Sequence, residues 1–305
     1  MVDRRRRGPR CPERPPIWIS AHKDATVNFH DFFEGLRAMA CFDNAAQLIT
    51  SRLLFRRNPV SIYRMGGRSI VIDHSGGDAT GTRMAIASTM YRRLLPRMRL
   101  DVPVNLLDLG ANGGFPLMLS IHGVALRRCV CVELNPKTFA RLTFNVRYNI
   151  DCAFKGWNVA VCGEPRDFEL YLGTGSTSDS IWRMQRTEGA RKVTIPGMTL
   201  DDIYGQSFEG ETVDICKIDV EGAEHEIFET PHHQCLRSVR YLVIEIHNVE
   251  GRNPEQVVRA IQAQGFREIP IEERCAEDVR LFERDDEASA SNPSLPLGRK
   301  ASETA

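Results

Sequence analysis

The sequence lacks most of the features that quickly betray a function. No run in it approaches the roughly twenty consecutive apolar residues that cross a bilayer, so no membrane contact is expected. Basic and acidic residues balance at forty each, which removes the overall positive field that gathers nucleic acid. Nine cysteines are scattered with no C-x-x-C pair. Odd in number and set partly in apolar strands, they read as reduced thiols of a cytoplasmic protein, not as a disulfide framework. Cys129 and Cys131 share one face of a strand, too little for a tetrahedral zinc site. The phosphate-cradling G-x-G-x-x-G loop is also missing, which weighs against a dinucleotide oxidoreductase.

What is present is concentrated in Leu106-Leu-Asp-Leu-Gly-Ala-Asn-Gly-Gly114. Val104 to Leu107 is an apolar run that reads as a buried strand, and it ends in Asp108. A Gly- and Asn-rich turn follows, where positive φ and close ligand approach cost little. Pro116 then suits the first turn of a helix with Leu117, Met118, Leu119 and Ile121 on its buried face. A carboxylate two residues before the first glycine would repel a phosphate but could hold an ammonium group. S-adenosylmethionine (SAM) offers an amino acid and no phosphate, so the loop suits it. A second apolar strand, Cys129 to Val132, ends in Glu133, where a carboxylate can accept from ribose hydroxyls.

The 305 residues, 42% of them hydrophobic, suffice for a sizeable core. Residues 1–20 form an arginine- and proline-bearing tail, and 285–305 a Ser/Ala/Pro/Glu-rich one; both are expected to be disordered. Residues 21–100 read as a cap of helices around 28–57 and 82–98 with a hairpin, Ser61 to Asp73, turning at Gly66-Gly67. From 101 to 284 strand and helix patterns alternate regularly: a third strand over 154–162, a short segment at Phe168 to Leu172, and strands at Val213 to Val220 and Tyr241 to His247. A helix opened by Asn253-Pro254 follows, and 266–271 with 279–283 close as an antiparallel pair. The fold expected is α/β and Rossmann-like: a mostly parallel seven-stranded sheet with an antiparallel final strand and an N-terminal helical and hairpin extension.

Seven stretches carry a more specific likeness: LLDLGANGGF (106–115), VCVELNPKTFARLTFN (130–145), NVAVCGE (158–164), GSTSDSI (175–181), IPGMTLDDI (195–203), VDICKIDVEGAEHEIFE (213–229) and YLVIEIH (241–247). In this order they resemble the FkbM family of SAM-dependent methyltransferases over roughly residues 69–284. Gly113 departs from the pattern, since the family more often has an apolar residue there. The resemblance implies that Asp108, Gly110, Ala111, Asn112 and Gly114 line the amino-acid end of SAM. It implies that Glu133 holds the ribose, with Leu134 and Asn135 beside the adenine and Asn158 to Ala160 on its other side. It also implies methyl transfer, with O-methylation of a small molecule or glycan as the expected reaction. A nucleic-acid methyltransferase and a non-catalytic SAM-binding module are the alternatives; no Asn/Asp-Pro-Pro-aromatic motif follows the KIDVEG strand, and no nucleic-acid partner is expected.

Methyl transfer to an alcohol needs alignment and a proton acceptor. Two strand ends are rich in titratable groups, Lys217-Ile-Asp219-Val-Glu221 and Glu245-Ile-His247. Alternation puts each set on one face, so Asp219, Glu221, Glu245 and His247 converge if the strands are neighbours. One reading makes His247 the base, because imidazole suits neutral pH, with Asp219 or Glu221 orienting it or the acceptor. A second gathers the same groups round a divalent ion, which is not expected. A third treats them as a structural network with Lys217. Glu224 reads as a helix-dipole residue, His225, His232 and His233 as exposed or capping, and His122 as a core residue. Trp157 and Trp182 read as packing residues.

Overall fold

The computed structural model describes residues 39–54, 59–74, 81–87, 89–172, 191–271 and 279–285. In chain order the elements are α1 (Ala45–Leu54), β1 (Val60–Met65), β2 (Arg68–Asp73), α2 (Gly81–Ala87), α3 (Thr89–Arg92), β3 (Val104–Leu109), α4 (Phe115–Ile121), β4 (Leu126–Val132), α5 (Pro136–Asn149), β5 (Ala153–Trp157), β6 (Ala160–Val161), β7 (Asp167–Leu172), β8 (Arg191–Met198), α6 (Leu200–Phe208), β9 (Val213–Ile218), α7 (Glu224–Glu229), β10 (Val239–Glu245), α8 (Pro254–Ala263), β11 (Phe266–Ile269) and β12 (Val279–Arg284). The two tails, the loop 173–180 and Trp182 lie outside the described residues.

Seven strands form one sheet in the order β11-β12-β10-β9-β3-β4-β5. Strands β10, β9, β3, β4 and β5 run parallel, and the final strand β12 is antiparallel to both of its neighbours. This is the expected Rossmann-like α/β sheet. Every residue of β3 is buried, as a central parallel strand covered on both faces requires. On one face Leu106, Cys129, Ile215 and Val243 pack with Leu117, Leu142 and Val146. On the other, Leu107, Val130, Cys216 and Leu242 pack with Ile203, Ile227 and Ile261. Among the described residues, no helix is long and apolar enough to cross a membrane.

The third strand is shorter than its pattern suggested. The ladder with β4 stops at Trp157, and β6 leaves the main sheet to pair with β8, which also pairs with β7. The break falls at Asn158, whose side chain bonds to the loop after β4. Likewise the helix expected over 82–98 is broken into α2, α3 and a short 3-10 turn at Leu95–Arg97.

The hairpin β1–β2 is built as read. Gly66 and Gly67 both take positive φ, 55° and 75°, as a two-residue turn that follows the right-handed strand twist requires. Its outer edges are closed by asparagine amides. On α5, Asn145 pairs with the N–H and C=O of Val71, both at 2.9 Å, and Asn149 with those of Ser69, at 2.8 and 3.0 Å. Asn44 does the same for Arg64 N and Ile62 O at the other edge. Spaced i, i+4, the two α5 amides act as a short extra strand. Tyr63, Ile70 and Ile72 bury against the sheet core. Asn145→Ala leaves two backbone groups without their partner and is expected to cost about 2–3 kcal/mol, read from the urea midpoint; an unchanged midpoint would refute the edge-closing role.

Candidate functional site

Parallel register assembles the site. Asp108 pairs with Lys217 across β3 and β9, and Ile218 with Ile244 across β9 and β10. One residue further on, Asp219 therefore stands beside Glu245 at the carboxyl ends of the strands, where ligands of open α/β sheets bind.

The loop after β3 is held from three sides. Gly110 N and Ala111 N donate to Val132 O at 3.0 and 2.9 Å, and Asp219 N donates to Leu109 O at 3.0 Å. Gly110 has φ +70°, and a Cβ on it would lie 1.7 Å from the carbonyl oxygen of Asp219. Asn112 also takes positive φ, 43°; its N–H donates to Glu133 Oε2 at 3.1 Å. Thr82 on α2 donates its hydroxyl to Asn112 O at 2.8 Å. A Cβ on Gly114 would meet Ala85 Cβ at 2.3 Å, so that glycine lets α2 lie on α4.

The other residues of the cofactor set cluster around Glu133. Its Oε1 accepts from Asn135 N at 2.8 Å. Asn135 caps α5, accepting from Lys137 N and Thr138 N. Asn158 Nδ2 donates to the carbonyls of Glu133 and Leu134 at 2.8 and 3.0 Å and so braces the strand-end loop. Ala160 is buried with Cys162, Phe168 and Ile195, and Leu134 packs against that cluster. Trp157 is a packing residue, its Nε1–H donating to Ser207 Oγ at 2.9 Å.

Beneath the loop lies a buried charge chain. Lys217, 4% exposed, has its Nζ 3.5 Å from Asp108 Oδ1 and 3.0 Å from Asp219 Oδ2, and it donates to Gly110 O at 3.3 Å. Burial alone would lower its pKa, but Asp219, the Tyr91 hydroxyl and Asp108 hold it well above the usual lysine range. Asp108 is fully buried, and neither of its oxygens has a hydrogen-bond partner. The Lys217 contact is thus a charge pairing that falls short of hydrogen-bond geometry. Burial raises the Asp108 pKa to about 6 against the pull of Lys217. Tyr91, edge-on to Phe115 at 5.2 Å, donates its hydroxyl to Asp219 Oδ2 at 3.4 Å.

The four strand-end groups do converge. His247 Nε2 lies 3.6 Å from Glu221 Oε2, 3.8 Å from Glu245 Oε1 and 3.9 Å from Asp219 Oδ1, while Nδ1 is 3.0 Å from Glu224 Oε1. Burial would lower the His247 pKa, but the hydrogen bond and charge of Glu224, with Glu221 and Asp219 behind, raise it to about 9. These partners favour the protonated form of the imidazole.

Glu224 stands in the first turn of α7 as read, and it does more there. It is fully buried, and its oxygens accept from Val220 N at 3.0 Å and Gly222 N at 2.8 Å besides holding His247. The helix α7 begins only here, after a turn in which Glu221 and Gly222 take φ of 53° and 106°. Its place three residues after Glu221 in KIDVEGAE was the available signal; for Tyr91 and Thr82 the sequence offered none. His225 is buried, with Nε2 2.9 Å from His247 O, and His233 is buried with Nδ1 3.2 Å from Ile227 O. Neither is exposed, and His233 takes the capping alternative, at a carbonyl of α7. His122 is only half-buried, not a core residue.

A family model described as the methyltransferase FkbM domain matches residues 108–268. No curated protein matches. Among solved structures, the chain is similar to a putative SAM-dependent methyltransferase from Streptococcus mutans, with 12% identity and TM-score 0.40 over 73% of this chain and 55% of that one. It is also similar to the tRNA (uracil-54, C5)-methyltransferase of Pyrococcus abyssi in complex with S-adenosyl-L-homocysteine, with 12% identity and TM-score 0.37 over 74% and 44%. The fibrillarin of Aeropyrum pernix with natively bound S-adenosyl-L-methionine aligns at 13% identity and TM-score 0.37 over 74% and 93%. The chain spans about half the length of the Streptococcus mutans protein.

Proposed function

Since the chain belongs to the FkbM methyltransferase domain family, we propose that it transfers the methyl group of S-adenosyl-L-methionine to a hydroxyl of a small molecule or glycan. The carrying observation is the convergence of Asp219, Glu221, Glu245 and His247 at the strand ends beside the loop 110–114.

The residues present fit the cofactor. Gly110 lies so close to the Asp219 backbone that no side chain could be added, a cradle kept for close approach. Asp108 is a buried carboxylate without a hydrogen-bond partner, and the ammonium of an amino acid is a fitting donor. Glu133 is anchored by two backbone N–H groups; a carboxylate accepts up to about four hydrogen bonds, so ribose hydroxyls suit it. When bound, the cofactor supplies a methyl already activated on a sulfonium.

The chain's own work is alignment and proton removal. A hydroxyl brought to the ends of β9 and β10 meets the carboxylates of Asp219, Glu221 and Glu245, which orient it and receive its proton. His247 keeps those carboxylates gathered, and Glu224 keeps His247 in place. Tyr91 ties α3 to Asp219, linking the N-terminal segment to the strand ends.

The test is mass spectrometry of products after the full chain is incubated with SAM and a panel of sugars, glycosides and RNA. An O-methyl ether is expected, with Asp219→Asn lowering turnover about a hundredfold at nearly unchanged SAM affinity by calorimetry. Methyl on nitrogen or carbon, or labelling of RNA alone, would overturn the reading.

A further inference from the structure

The side chains at the ends of β9 and β10 are held as metal ligands are held. Asp219 divides its carboxylate: Oδ2 takes Lys217 Nζ at 3.0 Å and the Tyr91 hydroxyl at 3.4 Å, and Oδ1 faces His247. The ring of His247 is fixed by Nδ1, 3.0 Å from Glu224 Oε1. Glu224 is itself fully buried and pinned by the N–H groups of Val220 and Gly222. A carboxylate holding the far nitrogen of an imidazole is the usual support of a metal-binding histidine.

What Nε2 faces is the second observation. Oxygens of Glu221, Glu245 and Asp219 stand 3.6, 3.8 and 3.9 Å from it, each just past hydrogen-bond reach. All three are ion pairs to the same nitrogen, so two carboxylates that can ligate, Asp219 and Glu245, and a third anion, Glu221, already surround Nε2. Ligand atoms about 2.1 Å from one ion stand roughly 3 to 4.2 Å apart. One ligand atom from each of Asp219, Glu245 and His247 lies within 4.8 Å of the others, so modest side-chain adjustment closes the site.

We propose that Asp219, Glu245 and His247 hold a divalent cation, with Glu221 as an outer anion. Two carboxylates and one imidazole are a mixed, mainly oxygen set that suits Mn2+. The ion takes the place of a proton on Nε2, which is released. Three protein ligands leave coordination positions for water or an acceptor oxygen, whose hydroxyl the ion acidifies. That last role rests on the hydroxyl-methylation reading; the binding itself does not.

The experiment is a Mn2+ titration of the full chain, stripped with EDTA, followed by electron paramagnetic resonance. One Mn2+ per chain is expected, weakened at least about tenfold in His247→Ala and in the near-isosteric Glu245→Gln, and about tenfold in Glu224→Gln. Retained binding of S-adenosylhomocysteine shows that the variants are folded. No Mn2+ bound, or equal binding by wild type, His247→Ala and Glu245→Gln, would overturn the site. The two readings separate cleanly. Site-dependent Mn2+ binding with methyl found on nitrogen or carbon sinks hydroxyl methylation and keeps the site. O-methyl product formed at an EDTA-indifferent rate, with no Mn2+ bound, does the reverse.

Discussion

Gly110→Ala is expected to abolish cofactor binding, lowering the affinity for S-adenosylhomocysteine at least about a hundredfold, which corresponds to ~2.7 kcal/mol. The added Cβ would lie 1.7 Å from the carbonyl oxygen of Asp219. That atom is backbone, so no rotamer change relieves the overlap. The strand ends must part, and the hydrogen bond from Asp219 N to Leu109 O, 3.0 Å long, must stretch or break. The left-handed φ of +70° adds strain of its own, about 1 kcal/mol. Gly123 provides the control: its φ is +83°, but nothing lies within 4 Å of an added Cβ. Gly123→Ala should therefore show the conformational strain without the collision, losing stability modestly and keeping affinity. Calorimetry on both variants measures the difference. If Gly110→Ala binds as Gly123→Ala does, the close approach of the two loops is not what shapes the site.

Lys217→Met should be the most destabilising change at a polar position, costing about 3–5 kcal/mol. Asp108 is fully buried and Lys217 4% exposed, so water can do little to replace the lost ammonium. Asp108 would be left with an unpaired buried charge, and Asp219 would lose the contact that fixes its Oδ2. The double variant Asp108→Asn/Lys217→Met removes both charges and should recover a large part of the loss. A double-mutant cycle by urea denaturation isolates the coupling, since each site alone also changes packing. A single-variant loss below about 1 kcal/mol would mean that the pair behaves as an exposed one.

Both predictions turn on residues whose importance is only partly visible in the chain. Gly110 was legible as a turn glycine after an apolar strand; that its partner is the Asp219 backbone, more than a hundred residues on, was not. Glu224 was read as a helix-dipole residue because it opens α7, and its burial under His247 depends on the preceding turn bending through Glu221 and Gly222. His247 was read as a base with Asp219 or Glu221 orienting it; what the sequence did not show is Glu224 on its other nitrogen, which, with the three further carboxylates, favours its protonated form. Tyr91 and Thr82 sit in a segment whose helical pattern shows nothing of the loop below it.

The sequence by itself determined the elements and their order. Apolar runs marked the parallel strands, Asn-Pro pairs marked the starts of α5 and α8, and Gly66-Gly67 marked a hairpin turn. Each of these signals acts over a few residues, through backbone sterics and local hydrogen bonds, and so can be read from a few residues. Tertiary structure decided which strand ends became neighbours. The crossovers between parallel strands leave their register open to packing, and packing set Ile218 against Ile244 and Asp108 against Lys217. Those two pairings bring Asp219, Glu245 and His247 to one point and place a buried lysine beneath the cofactor loop.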